Sequence, residues 1–189
     1  MKTISRRAFG ARSLATFGAV ALAANATRAW AQDLENTLYL DLSYGRVVIQ
    51  LRPDKAPKTV ACIKELARQH FYDGTPFHRV IPDFMAQGGD PTGTGTGGSG
   101  KTLPAEFSDL KHERGTVSMA RSSDPNSADS QFFICFAPAP YLDGQYTAFG
   151  QVIEGMEFVD RIKKGDPSNN GLVMVPDRIV KMRVAADGE

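Results

Sequence analysis

The residues best suited to chemistry lie in one segment around Arg79. The segment from Phe77 to Asp90 reads Phe-His-Arg-Val-Ile-Pro-Asp-Phe-Met-Ala-Gln-Gly-Gly-Asp. Arg79 is permanently charged, and burial of its apolar neighbours Val80 and Phe84 would hold the guanidinium in a partly dry site. A fixed cation in such a site can donate hydrogen bonds to an atom that becomes an acceptor only in a transition state. Arg79 is therefore the candidate catalytic residue.

The histidines and cysteines do not follow the spacing of a metal site. His70, His78 and His112 are 8 and 34 residues apart, which matches no common zinc motif. We expect His70 at a helix end, His78 as a hydrogen-bonded structural residue, and His112 in a polar loop. Cys62 and Cys135 are too few for a four-thiolate site, and two buried reduced thiols are expected rather than a disulfide. The sequence predicts no metal and no cofactor.

One short string matches a nucleotide-binding motif. Residues Gly95 to Thr102 read Gly-Thr-Gly-Gly-Ser-Gly-Lys-Thr, which satisfies the phosphate-loop pattern letter for letter. That pattern binds phosphate only between a buried strand and a helix, because the free N–H groups of the helix hold the phosphate. Neither neighbour is predicted here. We therefore expect a flexible surface loop and no nucleotide.

The first 31 residues have the composition of an export signal. They hold five basic residues and no acidic one, and the apolar stretch Leu14–Ala24 is followed by Ala29-Trp30-Ala31. A basic start, an apolar middle and a small-x-small end are the three parts of a cleavable signal peptide. The apolar stretch is shorter than the ~20 residues that span a bilayer, so we expect no stable membrane anchor.

The start of this leader also suggests the export route. The residues Ser5-Arg6-Arg7-Ala8-Phe9 resemble a twin-arginine signal, although Gly10 and Ala11 stand where that signal usually has Leu and Lys. The sequence therefore predicts export to the periplasm by the twin-arginine route. The general secretory route and an ordinary amphipathic first helix are the alternatives that it leaves open.

Without the leader, the mature chain of residues 32–189 is slightly acidic. Subtracting the five basic residues of the leader from 22 leaves 17 Lys and Arg against 21 Asp and Glu, a net charge of −4. Nucleic-acid-binding proteins typically carry a strong basic excess, so no nucleic-acid partner is expected. A chain of this length can bury a single self-sufficient core. We expect one domain and a monomer.

Short β-strands must position the residues around Arg79. Alternating and apolar runs predict strands at Thr37–Asp41, Arg46–Leu51, Phe77–Ile81, Phe84–Gln87, Val117–Ala120, Gln131–Phe136, Thr147–Val152 and Arg178–Val184. Helical spacing predicts one helix at residues 56–69 and a second at Met156–Lys164. Many short strands with one early and one late helix predict a closed or nearly closed antiparallel barrel whose ends the helices cover.

The chain resembles the cyclophilins from about Thr37 to Val184. Besides the segment that contains Arg79, the matching residues are Ser118-Met119-Ala120, Ser130 to Cys135, Leu142-Asp143-Gly144 and Phe149-Gly150, in the expected order. The resemblance implies a mainly β fold, a closed eight-stranded antiparallel barrel capped by two α-helices. It also implies the activity of a peptidyl-prolyl cis-trans isomerase that acts on proline-containing polypeptides and needs no cofactor.

The resemblance also implies roles for the residues around Arg79. Phe84, Met85, Phe133 and Leu142 would form an apolar proline pocket, Gln87 would bond the substrate backbone, and Ala120 and Arg121 would offer their main chain to the residue before proline; Tyr141 and Tyr146 complete the predicted binding set. Arg79 would donate a hydrogen bond to the proline nitrogen in the twisted transition state. The alternative is a non-catalytic module or chaperone that only binds proline peptides.

Three positions depart from the family pattern. Tyr141 stands where much of the family has Trp, Tyr146 where it usually has His, and Arg121 where Asn is common. Arg79 and the aromatic residues are unchanged, so the resemblance still implies catalysis. Because the tryptophan helps to bind cyclosporin in sensitive members, we expect weak cyclosporin binding here.

Overall fold

The computed structural model describes residues 33–188, so the predicted leader lies outside the described residues. The strands are β1 (Thr37–Leu42), β2 (Gly45–Leu51), β3 (Arg79–Ile81), β4 (Met85–Gly88), β5 (Thr116–Met119), β6 (Phe132–Cys135), β7 (Ala148–Glu154) and β8 (Lys181–Val184). The α-helices are α1 (Pro57–Arg68) and α2 (Met156–Asp160). Each predicted strand and helix is therefore present, with shifts of a few residues at the ends.

The eight strands form one antiparallel sheet in the order β3-β4-β6-β5-β7-β2-β1-β8. The sheet is open, with β3 and β8 as its edges, so the predicted closed barrel is wrong in this respect. The outer edge of β3 is covered by a loop and not by another strand. Val80 donates to the carbonyl of Gly171 in that loop and accepts from the amide of Gly165. Where the two edges approach, Pro76 and Arg178 form only an isolated bridge. Hydrogen bonds flank this bridge on both sides, from the amide of Phe77 to the carbonyl of Asp177 and from the amide of Ile179 to the carbonyl of Thr75.

The inner face of the sheet forms the main core. The register aligns Val80 with Ala86, Ala86 with Ile134, and Ile134 with Val117. All four side chains are at most 1% exposed. Because side chains alternate between the two faces of a strand, their neighbours along β3, β4 and β6 must point outwards. This alternation places Arg79 and Gln87 on the opposite face of the same strands.

The helices pack against the sheet with the faces that the sequence predicts. Helix α1 begins with Pro57 in its first turn and buries Val60, Ile63 and Leu66. Helix α2 is shorter than predicted and ends at Asp160. The following turn is held by bonds from Arg161 and Ile162 to carbonyls three residues back, which have the tighter spacing of a 3₁₀ helix. None of the helices within residues 33–188 has the length and apolar character needed to cross a bilayer.

The glycine-rich loop is organised around two carboxylates of the chain itself. Asp90 is fully buried and accepts hydrogen bonds from the amides of Thr92, Gly95 and Gly97 at 2.7, 2.6 and 3.1 Å. Asp129 accepts from the amides of Ser99 and Gly100 in the same way. Four amides of the phosphate-loop string, those of Gly95, Gly97, Ser99 and Gly100, are therefore already bonded to carboxylates of the chain. The loop lies at the surface as predicted, and these hydrogen bonds define its path there.

Hydrogen bonding also sets the acidity of Asp90. Burial by itself would raise the pKa of the carboxyl group. The hydrogen bonds from Thr92, Gly97 and Gly95 favour the charged form and lower its pKa to about 2, against an ordinary value of 3.8. The contribution of Asp90 to stability is therefore complete above about pH 4 and is lost as the pH falls through about 2.

We expect Asp90→Asn to be less stable than the parent at pH 7, by up to about 2 kcal/mol. The difference should shrink as the pH is lowered from 4 to 2, because the parent then loses the same charge. Urea unfolding at several pH values measures this difference. Glu154→Gln, at an exposed position on β7, is the control and should show almost no difference at any pH. A difference for Asp90→Asn that stays constant down to pH 2 would contradict the assignment.

Candidate active site

The outer face of four strands carries one row of side chains across the sheet. Arg79 on β3 lies opposite Gln87 on β4, Gln87 lies opposite Phe133 on β6, and Phe133 lies opposite Ser118 on β5. Directly opposed residues in antiparallel strands point to the same face and their side chains touch. The register therefore brings the predicted catalytic arginine, a polar amide and an aromatic ring into one line.

Arg79 is held by neutral oxygen atoms. Its Nη1 donates to Oε1 of Gln87 at 3.0 Å. Its Nε donates to the carbonyl of Asn170 at 3.1 Å, and its Nη2 donates to Oδ1 of the same residue at 3.0 Å. Partial burial lowers the pKa of Arg79, but an arginine stays charged at neutral pH. The site therefore contains a fixed, half-buried cation.

A relay of amides orients Gln87 towards the arginine. Gln131 donates its Nε2 hydrogens to the carbonyls of Gly95 and Gly97, at 3.0 and 2.8 Å. A carbonyl can only accept, so the Oε1 atom of Gln131 must face the other way, where it accepts from Nε2 of Gln87 at 2.9 Å. The Oε1 atom of Gln87 is thereby left to accept from Arg79. The fixed path of the glycine-rich loop thus determines which atom the arginine meets.

An apolar hollow lies beside this cation. Its floor is formed by the buried residues Met85, Phe133 and Leu142, and partly buried residues, among them Phe84 and Tyr146, pack against them. Cys135 lies in the same cluster as a buried free thiol, and burial raises its pKa to about 12, so it is protonated at neutral pH. The hollow is therefore uncharged and offers contact area to a small apolar ring.

His112 fixes the far wall of the hollow. Its ring is buried, its Nδ1 lies 3.0 Å from Oδ1 of Asp143, and its Nε2 lies 3.0 Å from Oγ of Ser118. The ring also stacks on Phe133, with the two centroids 6.2 Å apart. His112 lies in the predicted polar loop, but its ring is buried and ties β5 to the segment that carries Leu142. The hydrogen bonds from His112 lower the pKa of Asp143.

The aromatic rim contains the three departures from the family pattern. Tyr141 is 61% exposed, and its ring lies 5.8 Å from that of Phe84. The guanidinium of Arg121 lies over the ring of Tyr146 at 4.4 Å. Arg121 donates to the carbonyls of Gln145, Ser122 and Ser123. Its charge therefore stays at the rim, where a second cleft begins.

The structure gathers all ten predicted site residues around one cleft of about 410 Å³. They are Arg79, Phe84, Met85, Gln87, Ala120, Arg121, Phe133, Tyr141, Leu142 and Tyr146, and Gln145 also lines the cleft. The adjoining cleft, of about 390 Å³, shares Gln87, Ala120 and Arg121 and reaches the glycine-rich loop. A peptide longer than the first cleft can therefore continue into the second.

Sequence reasoning missed three residues that complete the site. Asn170 and Gln131 hold the arginine and its amide partner, and Gln145 lines the cleft. Gln131 was visible as a polar residue at the start of an apolar strand within a matched segment. Asn170 lies 91 residues from Arg79 in a loop with no motif, so no local signal could have found it.

The remaining histidine and cysteine predictions have mixed outcomes. His78 is buried, but neither ring nitrogen has a hydrogen-bond partner within residues 33–188, so that part of its prediction is wrong. His70 follows helix α1 as predicted, and Cys62 and Cys135 are buried and free. Among residues 33–188, no three His, Cys, Asp or Glu side chains come together as a metal site.

Comparison with known proteins identifies the family. The family model described as cyclophilin type peptidyl-prolyl cis-trans isomerase matches residues 37–184. A probable peptidyl-prolyl cis-trans isomerase of Brucella suis is 52% identical over 188 residues, which cover 93% of this chain and 96% of the relative. A peptidyl-prolyl cis-trans isomerase of Synechococcus elongatus is 47% identical over 129 residues and covers 67% of this chain and 88% of the relative.

Solved structures agree with this assignment. A cyclophilin from Hirschia baltica superposes with a TM-score of 0.74 at 27% identity, over 83% of this chain and 76% of that protein. A cyclophilin type peptidyl-prolyl cis-trans isomerase from Cryptosporidium parvum, solved in the presence of the dipeptide Ala-Pro, gives 0.71 at 32% identity, over 78% and 98%. The family model and the relatives of high identity show that the chain belongs to the cyclophilin family of peptidyl-prolyl cis-trans isomerases.

Proposed function

We propose that Arg79 catalyses rotation of Xaa-Pro bonds by donating a hydrogen bond to the proline nitrogen. The barrier to rotation, ~18–20 kcal/mol, comes from amide resonance, which ties up the nitrogen lone pair in both planar forms. In the twisted transition state the nitrogen regains that lone pair and becomes an acceptor. A donor placed at this nitrogen therefore stabilises the transition state more than either ground state.

The main support for this proposal is that Arg79 is held in place and still has N–H groups available to donate to a substrate. A guanidinium has five N–H groups. Three of them donate to Gln87 and Asn170, which leaves one on each terminal nitrogen unassigned within residues 33–188. The hydrogen bonds to Gln87 and Asn170 fix the plane of the group before the substrate arrives. The charge therefore needs little reorganisation during the reaction.

The hollow supplies the rest of the rate enhancement. An acceleration of ~10⁶ corresponds to about 8 kcal/mol, whereas a hydrogen bond to a charged group contributes about 1.5–3 kcal/mol. We assign the remaining lowering of the barrier to the proline pocket of Phe84, Met85, Phe133 and Leu142. The pocket holds the proline ring while the carbonyl group of the preceding residue rotates about the peptide bond. Gln87 would bond the substrate backbone, and the main chains of Ala120 and Arg121 would hold the residue before proline.

Arg79→Ala should reduce kcat/KM for a short Ala-Pro peptide by about 10²–10³, because it removes the transition-state donor. Isomerisation by residues 32–189 and by the variant measures the effect. Arg52→Ala is the matched control, since the partly exposed side chain of Arg52 lies outside the cleft and bonds to Asp54. It should retain the parental rate. Circular dichroism shows whether each variant is folded.

The alternative is a module that binds proline peptides without catalysis. It shares the cleft but requires nothing from the arginine beyond anchoring carbonyl groups. An inactive parent that still binds the Ala-Pro peptide would favour this alternative. Activity that survives in Arg79→Ala would exclude the arginine mechanism.

We further propose that the protein is exported to the periplasm as a monomer and acts there on unfolded or partly folded exported proteins. The support is the composition of residues 1–31 and the pair Arg6-Arg7. Replacing both arginines by Lys should retain the full-length precursor in the cytoplasm, as measured by cell fractionation and immunoblotting. The control Arg12→Lys with Arg28→Lys should be exported normally. Unchanged export of the Arg6-Arg7 variant would indicate the general secretory route.

We also propose that cyclosporin binds weakly because Tyr141 offers less contact area than Trp. The side chain of Tyr141 is exposed at the rim beside Phe84, where added aromatic area could reach a bulky ligand. Tyr141→Trp should bind cyclosporin about tenfold more tightly than the parent, by calorimetry. Tight cyclosporin binding by the parent would contradict the proposal.

A further inference from the structure

We propose that Leu172 and Met174 form a binding surface for apolar residues that follow the proline in a polypeptide substrate. The inference rests on the proposed function, because it assumes that the cleft at Arg79 holds an Xaa-Pro bond. It adds a preference for substrate sequence that the cleft itself does not explain. The occupant is the same unfolded chain whose proline lies in the hollow.

The register at the edge of the sheet places Leu172 beside Arg79. The two residues form an isolated antiparallel bridge. Val80 donates to the carbonyl of Gly171, and Val173 donates to the carbonyl of His78, so Arg79 and Leu172 are a non-hydrogen-bonded pair. In such a pair the Cα atoms are ~4.5 Å apart and both side chains point to the same face. Leu172 therefore extends the row that carries Arg79 and Gln87.

Alternation along this segment extends the surface further. Val173 is 6% exposed and points into the core, whereas Leu172 is 39% and Met174 is 84% exposed. Leu172 and Val173 point to opposite faces, as in an extended chain, and the chain then bends at Met174 and Val175. Met174 follows Leu172 by two residues and is exposed at this bend. Val175, 70% exposed, continues the apolar run.

The segment is tied to the sheet as far as Val173, so Leu172 is held in place beside Arg79. Val173 is tied to β3 by its backbone bond and by its buried side chain. Upstream, the Asp166 side chain accepts from the amide of Ser168, and the amide of Gly171 donates to the carbonyl of Asp166. A substrate that contacts Leu172 therefore does not have to order this part of the loop. That lowers the entropic cost of binding.

Continuity with the cleft identifies the occupant. An unfolded substrate must leave the hollow at both ends of the proline bond. Ala120 and Arg121 stand on the side assigned to the residue before proline, where the second cleft begins. Leu172 lies beyond Arg79, on the opposite side of Gln87. At ~3.3 Å per residue, an extended chain reaches Leu172 and Met174 two to four residues after proline. Met is adaptable enough to contact different apolar side chains.

The test compares two peptides that differ only after proline. Both share one Ala-Pro core, and positions two to four after proline are Leu in one peptide and Ser in the other. We expect the parent to prefer the Leu peptide about fivefold or more in kcat/KM, because apolar area is buried on Leu172 and Met174. In the double variant Leu172→Ser, Met174→Ser this preference should fall to about twofold or less. Val180→Ser, which changes another exposed apolar residue (58% exposed), should keep the preference.

Several results would overturn the proposal. They are equal rates for the two peptides in the parent, or a preference that the double variant retains. If the parent catalyses neither peptide, the proposed function fails. The binding surface is then tested separately by measuring the affinity of the labelled peptides with fluorescence anisotropy. Equal affinity for both peptides would refute the surface at Leu172 and Met174. Sedimentation supplies the other check, because a parental dimer that the double variant loses would assign the surface to a second copy of the chain. Circular dichroism excludes unfolding of the variant.

Discussion

The site depends on a half-buried guanidinium whose partners are all neutral. Within residues 33–188, Arg79 bonds only to the amide oxygen of Gln87 and to two oxygens of Asn170. A carboxylate at 4 Å would attract the cation by about 4 kcal/mol at an effective dielectric of 20 and would compete with the substrate. Neutral acceptors instead fix the orientation of the group while its charge remains uncompensated. That combination suits a reaction in which a neutral nitrogen becomes a better hydrogen-bond acceptor in the transition state.

The open edge of the sheet follows from this arrangement. Arg79 begins the edge strand β3, and residues 165–173 cover that edge instead of β8. The same loop supplies Asn170 to the guanidinium and Leu172 to the outer face. One irregular segment therefore satisfies the backbone of the edge strand, orients the cation and extends the apolar surface. A regular strand in its place could not turn its backbone carbonyl and its side-chain amide to one arginine.

The glycine-rich loop contributes through geometry rather than through a ligand. Its amides converge on the carboxylates of Asp90 and Asp129, as they would on a phosphate in a nucleotide-binding protein. A Cβ atom at Gly97 would lie 2.1 Å from Oδ1 of Asp90, so only glycine permits this approach. The loop then presents the carbonyls of Gly95 and Gly97 to Gln131. The carboxylates of Asp90 and Asp129 thus take the place that a bound phosphate would have. The loop then orients Arg79 through the side-chain amides of Gln131 and Gln87.

The strands, the two helices and ten of the eleven residues that line the cleft could be predicted from the sequence alone. Apolar alternation predicts β1 and β2, and helical spacing predicts α1. The resemblance to the cyclophilins predicts ten residues, all of which line the cleft. These features are local, or they lie in matched segments, so a linear pattern can report them. The departures at Tyr141, Tyr146 and Arg121 were visible for the same reason.

The contacts between segments that are distant in the chain became visible only in the folded structure. The partnership of Arg79 with Asn170, the burial of His112 against Phe133, and the open sheet edge each join residues far apart in the chain. Helix α2 ends early because its last turn follows the tighter hydrogen-bond spacing that the three-residue apolar period also allows. A periodic pattern constrains which side chains share a face. The hydrogen-bond partners of the remaining backbone groups depend on how the whole chain packs.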